Sequence, residues 1–399
     1  MADKNISQKP PLSEKGIVYI ITEAFPPTSA GSSVLNKNLL SYFDPNSYVV
    51  YTHKISFKNQ LDMVKDVRVR YIAKSFQHFS GKLHNLLLPF QFKYAFNKIK
   101  RDSKKEKPVA IIATYPSLDY IKLGLDIASS LKLPFFPYLH DTIAEALSNS
   151  VHAERATTVQ AQIWKRSAHI FVMSDGMRDL YQKKYALKTE PVLHTYMEKI
   201  RNENELELKK YTSPRCFWGG EVYNINNVSL PRLTRALENL DPTIEIASPQ
   251  KREVLNGLGI TNKNLVISFY SDRSQYLKAI EHADILLLGL NWPEESTIHP
   301  EELGTIFPTK TPEYLSSGKL IIVHAPEQYF LTQFFKKHQC GIVLDKIDPS
   351  EVLNTLKQEL NNPEKILSYR KNALNTAKLF NQTLVAENFK KSINNIIQQ

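Results

Sequence analysis

Ile306-Phe307-Pro308-Thr309-Lys310-Thr311-Pro312-Glu313-Tyr314-Leu315-Ser316-Ser317-Gly318-Lys319 runs directly into the β-rich stretch Leu320 to Val323. Pro312 suits the first turn of a helix, because its fixed φ is helical and its missing N–H would have no partner there. Gly318 suits the end of that helix, since glycine enters the left-handed region without a Cβ penalty. A short helix delivered into a buried strand belongs to an alternating α/β chain, in which ligands sit beyond the carboxyl ends of parallel strands. Glu313 then lies at a helix start on such an end, where a carboxylate can hold a ribose diol. Lys310, three residues earlier, can face a phosphate. A capping interaction without any ligand accounts for the same residues.

Outward from this stretch the alternation recurs in both directions. Toward the N-terminus the pattern predicts strands over Gly16 to Thr22, Tyr48 to Thr52, Val67 to Ile72, Val109 to Thr114, Phe135 to Leu139 and His169 to Met173. Helical stretches over Ser33 to Phe43, Leu118 to Leu131 and Ala153 to Arg166 separate some of them. Lys199 to Ser213, rich in Glu and Lys, reads as a linker or a solvated helix. A second series follows over Arg215 to Trp218, Ile244 to Ala247, Leu265 to Phe269, Ile285 to Leu288, Leu320 to Val323 and Gly341 to Leu344. Strands joined by helical crossovers form a parallel sheet covered on both faces, so two Rossmann-like α/β domains are expected. In such a pair the strand ends can face each other across a cleft.

The expected boundaries are 1–200 for the N-terminal domain, 201–375 for the C-terminal domain, and 376–399 for a final helix returning to the N-terminal domain. A length of 399 residues fits two such domains, and 42% hydrophobic with 23% charged residues excludes collagen-like, coiled-coil and disordered chains. No apolar run reaches the ~18 residues of a spanning helix, the first fifteen residues do not resemble a secretory signal, and Cys216 and Cys340 suggest neither a disulfide framework nor a zinc site. A reducing cytoplasm is the expectation.

The net charge of +11 is concentrated. Between Lys54 and Pro108 lie 14 basic and four acidic residues, a local excess of +10. Pro89 can open a helix there, with Phe92, Ala95, Phe96 and Ile99 on an apolar stripe opposed by Lys93, Lys98, Lys100 and Arg101; Lys104 and Lys105 follow. Such a helix suits an anionic membrane surface; equally, the stripe packs on a sheet and the lysines are simply solvated. No nucleic-acid module accompanies the charge, and nucleic acid is not an expected partner.

Two further strand ends carry candidate residues. The turn Phe25 to Ser33 leads into a helix; Gly31 permits close approach of backbone to a ligand, and Ser32 or Ser33 can cap the helix, whose amides favour an anion. An ordinary turn explains the same glycine. After Leu139 come His140 and Asp141, where a histidine can bond a sugar hydroxyl or act as a base with the carboxylate shaping its pKa. A structural hydrogen bond is the alternative.

Taken together, Pro308-Thr309-Lys310, Glu313-Tyr314-Leu315 and Gly318-Lys319 before a strand resemble the P-T-K-x-x-E-Y-L-x-x-G-K-P-V-I segment of bacterial glycosyltransferases with the GT-B fold, group 1 or family 4. Ala283-Asp284-Ile285-Leu286-Leu287 is similar to that group's A-D-I-x-L strand. The Phe-Pro-Pro loop with Gly31, the segment Val172 to Met177, and Cys340 to Val343 followed by Asp348 match in the same order, so the resemblance covers essentially the whole chain.

The resemblance implies a hexosyltransferase-type enzyme that moves a sugar from a nucleotide-diphosphate donor to a hydroxyl acceptor, in cell-surface polysaccharide or glycolipid assembly. No cofactor is implied and no metal cluster is visible. The C-terminal domain would bind the donor and the N-terminal domain a glycan or lipid-linked acceptor, with the basic surface peripheral on the inner face of the membrane. By position, Glu313 is similar to the second glutamate of the family's Glu-x7-Glu pair, which holds the ribose. Tyr270 and Ser271 fall where the family holds the base, His140 with Asp141 near the transferred sugar, and Gly31 with Ser32 on the acceptor or phosphate loop.

Two departures stand out. Thr305 occupies the place of the first glutamate, with Glu294, Glu295, Glu301 and Glu302 nearby but not at its spacing. Gly219 and Gly220 follow the strand where the family often has an Arg and a Lys for the diphosphate, which leaves the charge to Lys310, Lys251 or Arg252, with the glycine amides assisting. A nucleotide-sugar epimerase or hydrolase of the same fold, or a non-catalytic nucleotide-sugar-binding subunit, are the alternatives.

Overall fold

The computed structural model describes residues 9–23, 25–26, 31–54, 66–74, 81–148, 151–196, 199–270 and 272–398. The chain divides into two compact units, one of residues 1–197 with 381–399 and one of residues 198–380.

The first unit is built on β1 (Val18–Ile21), β2 (Tyr48–Lys54), β3 (Arg68–Lys74), β4 (Ala110–Tyr115), β5 (Phe135–Leu139), β6 (Phe171–Val172) and β7 (Glu190–Pro191). The second uses β8 (Arg215–Gly219), β9 (Thr243–Ala247), β10 (Leu265–Ser268), β11 (Ile285–Gly289), β12 (Leu320–His324) and β13 (Ile342–Leu344). Among the described residues all strand pairings are parallel, in the orders β3-β2-β1-β4-β5-β6-β7 and β10-β9-β8-β11-β12-β13. Central strands such as Ala110–Tyr115 and Leu320–His324 are buried at every position, which is why they read as unbroken apolar runs.

Each order reverses direction between the first strand of its unit and the fourth, at β1/β4 and at β8/β11. In open α/β sheets such reversal points, beyond the carboxyl ends of the strands, are where ligands bind. Gly219 ends β8 at the second of these points, and Gly220 follows it with φ +114°.

In the first unit, one side of the sheet is covered by the helices Gly81–Glu106, Leu118–Leu131 and Ala153–Arg166. The other side is closed by the last helix, Gln382–Ile397, whose Val385, Ala386, Phe389 and Ile393 pack with Val18, Ile20, Tyr138 and Phe171. β7 is absent from the sequence-based expectation because Glu190 and Pro191 form no apolar run.

Pro89 lies inside the helix Gly81–Glu106 and does not open it. Proline's φ is helical, so the preceding turns are allowed at the loss of one hydrogen bond. The predicted stripe turns to the core: Ala95 and Ile99 are buried, and Phe92 and Phe96 pack against them, Phe92 edge-on to Tyr120 at 5.5 Å. That stripe is therefore a packing surface, and the reading of it as a membrane-facing surface is corrected.

Candidate site at the strand ends of the second unit

β8 delivers Trp218, Gly219 and Gly220 to its carboxyl end, and the helix Thr311–Ser316 delivers Lys310, Glu313 and Tyr314 to the same place. Pro312 stands in the first turn of that helix, and Gly318 follows it with φ +68°. The Lys310 Nζ donates to the Gly219 carbonyl at 2.7 Å and lies 3.4 Å from the centre of the Trp218 ring. An ammonium over an indole face is attracted by the ring quadrupole, and Gly219 O gives it a polar partner. Burial nevertheless lowers the Lys310 pKa to about 7, with Glu313 opposing the shift. Around neutrality this site therefore holds a cation with a weak grip on its proton.

Glu313 forms an ion pair with Arg273 at 2.7 Å, its side chain 12% exposed. Arg273 opens the helix Arg273–His282, which also carries Tyr276. The Tyr276 ring fits where Gly219 lacks a side chain: a Cβ there would stand 2.8 Å from the ring edge. Tyr314, fully buried, accepts a hydrogen bond from Gly219 N–H at 3.0 Å. Burial raises the pKa of both phenols well above the ordinary value, so both remain protonated hydrogen-bonding groups.

Several candidate residues take other roles. The Gly219 amide serves Tyr314 and the Gly220 amide donates to the Ala247 carbonyl at 2.8 Å, so neither is available to a phosphate in this arrangement. This corrects the expected use of those amides. Arg252 donates to the carbonyl of Leu265, at the amino end of β10, and Lys251 is exposed. The expected pair of phosphate cations is thus not assembled: Arg252 is drawn to a strand-start carbonyl. Tyr270 donates to Glu245 at 2.5 Å, and Ser271 lies outside the described residues. Thr305 is buried and donates to the Glu302 carbonyl at 2.9 Å. Glu295 forms an ion pair with Arg232, which also reaches His324 Nε2 at 3.3 Å, so Glu295 is a structural anchor of its loop.

In the first unit, Gly31 and Ser32 occupy the first turn of the helix Gly31–Leu40, at the carboxyl end of β1, and Ser33 is fully buried with no hydrogen-bond partner for its hydroxyl among the described residues. His140 follows β5, 2% exposed, with its ring edge-on to Tyr138 at 4.4 Å. Neither ring nitrogen has a hydrogen-bond partner among the described residues. Burial, and then His194, push its pKa down to about 3, so the imidazole is neutral and offers one donor and one acceptor. Asp141 does not contribute to that shift, contrary to the expected role of the adjacent carboxylate; burial moves its own carboxyl up to about 6. Of the basic candidates, Lys93, Lys100, Arg101, Lys104 and Lys105 are exposed, and Lys98 donates to the Tyr71 carbonyl at 2.7 Å.

Arg273, Tyr276, Trp218 and His194 were not singled out from sequence. Arg273 lies 40 positions from Glu313, and only the sheet order brings their helices together. Trp218 carried a signal that could have been used, an aromatic residue just before a Gly-Gly strand end.

No protein-family model and no curated protein matches the chain. Solved structures do. Sucrose-phosphate synthase from Thermosynechococcus elongatus superposes with a TM-score of 0.65 at 12% identity, covering 95% of this chain and 98% of that one. Anabaena HepE in complex with UDP-glucose gives 0.65 at 11%, covering 95% and 99%. The lipopolysaccharide outer core galactosyltransferase WaaB, without ligand, gives 0.62 at 13%, covering 94% and 99%. Along nearly its whole length, this chain has the two-domain Rossmann-like fold of the GT-B glycosyltransferases.

Proposed function

We propose that the chain is a glycosyltransferase that moves a sugar from a nucleoside-diphosphate donor to a hydroxyl of a glycan or lipid-linked acceptor, at an anionic membrane surface, in polysaccharide or glycolipid assembly. The observation that carries this reading is the convergence of Lys310, Glu313 and Trp218 at the carboxyl end of β8, beside the strand-order reversal where such sheets bind ligands. HepE was solved with UDP and with UDP-glucose, which makes a uridine diphosphate sugar the first donor to test.

Departure of a diphosphate requires fixed positive charge where the negative charge develops. Lys310 supplies it by exchanging the Gly219 carbonyl for a phosphate oxygen, and an anion beside it restores the proton that burial loosens. Glu313, held by Arg273, presents a carboxylate to the ribose hydroxyls. In the first unit, neutral His140 has both a donor and an acceptor for a sugar hydroxyl.

A thermal-shift panel of uridine, guanosine and thymidine diphosphates and their sugars tests the donor, because a ligand that binds only the native state raises its melting temperature. Loss of the shift in Glu313→Ala is expected, and an unchanged shift would remove Glu313 as the ribose holder. Nucleotide release that depends on an added acceptor separates transfer from hydrolysis.

A further inference from the structure

We propose that the outward face of the helix Gly81–Glu106 docks on an anionic phospholipid bilayer, with Phe90 and Tyr94 entering the interface and Lys93, Arg101, Lys104 and Lys105 meeting the headgroups. This face extends the membrane-surface part of the proposed function, and it lies in a different unit from the donor site, so the two can fail separately.

At 3.6 residues per turn, positions 90, 94, 97, 101, 104 and 105 fall on one side of the helix, over a length of about 22 Å. Ala95 and Ile99 fall on the other side, in the core. Phe90 is 69% exposed and Tyr94 59%, so two large rings stand in water one helical turn apart on a basic face. A charge on this scale could in principle be balanced within the helix, and the tertiary structure shows that it is not. From Pro89 onward the helix contains two acidic residues, Asp102 and Glu106, and both turn inward. Asp102 pairs with Arg70 at 2.8 Å, and Glu106 pairs with Arg70 at 2.5 Å and Arg68 at 3.4 Å. The arginines of β3 are thereby neutralised, while the outward cations are left with no acid of their own helix.

Exposed aromatic rings flanked by flexible cations match a lipid interface: rings settle at headgroup depth while Lys and Arg stems lie along apolar surface with their charges in the polar layer. A polyanion in solution would use the charge and leave Phe90 and Tyr94 unexplained. Among the described residues no helix is long and apolar enough to cross a membrane, so the contact is one of docking.

The full chain should co-sediment with vesicles of phosphatidylcholine containing about one third phosphatidylglycerol and not with phosphatidylcholine alone. The triple variant Arg101→Glu, Lys104→Glu, Lys105→Glu should weaken that binding about tenfold or more. Phe90→Ser with Tyr94→Ser should weaken it about threefold or more and make the remainder fully salt-sensitive. All five positions are exposed, so circular dichroism should be unchanged. Vesicle binding that survives the charge reversal would overturn the proposal, as would binding that Phe90→Ser with Tyr94→Ser leaves intact, since a soluble acidic partner behaves that way. A uridine diphosphate thermal shift measured on the same variants should not change. Its absence in the wild-type chain would count against the donor reading while leaving the vesicle result standing.

Discussion

Lys310 sits between two demands that its neighbours cannot meet together. Burial favours the neutral amine, and the Trp218 face, the Gly219 carbonyl and Glu313 favour the ammonium. With the free-site pKa near 7, a bound diphosphate raises it, so donor binding takes up a proton. Donor affinity should be flat below about pH 7 and fall as pH rises above it, by at most about tenfold per unit, until the raised pKa of the bound state is reached. Calorimetric titration across pH 6 to 9 checks this, and Lys310→Ala should abolish the slope and weaken binding about 10- to 100-fold. His140 obeys the opposite physics of a group that must remain neutral. Its pKa is about 3 folded against 6.5 unfolded, so the unfolded chain binds the extra proton between these values. Stability is therefore fully present above about pH 6.5 and lost as pH falls toward 3; His140→Gln, which cannot protonate, should flatten the urea-denaturation midpoint between pH 7 and 5.

The short elements of the second unit explain why single residues there are constrained. Gly318 holds φ +68° between the helix Thr311–Ser316 and β12, and a Cβ would stand 2.9 Å from Leu206. Gly318→Ala should destabilise by about 1–3 kcal/mol in denaturant titration, combining left-handed strain with overpacking. The stretch Pro308 to Lys319 thus owes its glycine to backbone geometry, while the short helix it forms brings Lys310 to the Gly219 carbonyl and Glu313 to Arg273. The basic helix shows the reverse case. Its periodicity was legible, and Leu118–Leu131 and Ala153–Arg166 appear with their expected bounds, yet the outward aromatics Phe90 and Tyr94 fell outside the predicted stripe. A 3.6-residue pattern identifies a buried face without telling which exposed residues share a surface with it.

For the whole molecule, the last helix makes the first unit discontinuous in sequence: residues 381–399 complete a core begun at residue 12. Phe389 is 1% exposed against Phe171 and Tyr138. Phe389→Ala should lower the first unit's unfolding transition by about 3–5 kcal/mol while leaving the second unit's transition in place, which calorimetry resolves as separate shifts. The alternation of buried runs and helical stretches was sufficient, from sequence alone, to determine an α/β chain with parallel sheets, because parallel strands covered on both faces have no polar side to hide. It placed Lys310, Glu313 and His140 at strand ends for the same reason. Only the tertiary structure decided that Arg273 meets Glu313, that Tyr314 and Ala247 take the glycine amides, and that Arg68 and Arg70 claim the acids of the basic helix. Those partners lie tens of residues apart, and ion pairs and hydrogen bonds are made through space, by whichever groups the sheet order brings within reach.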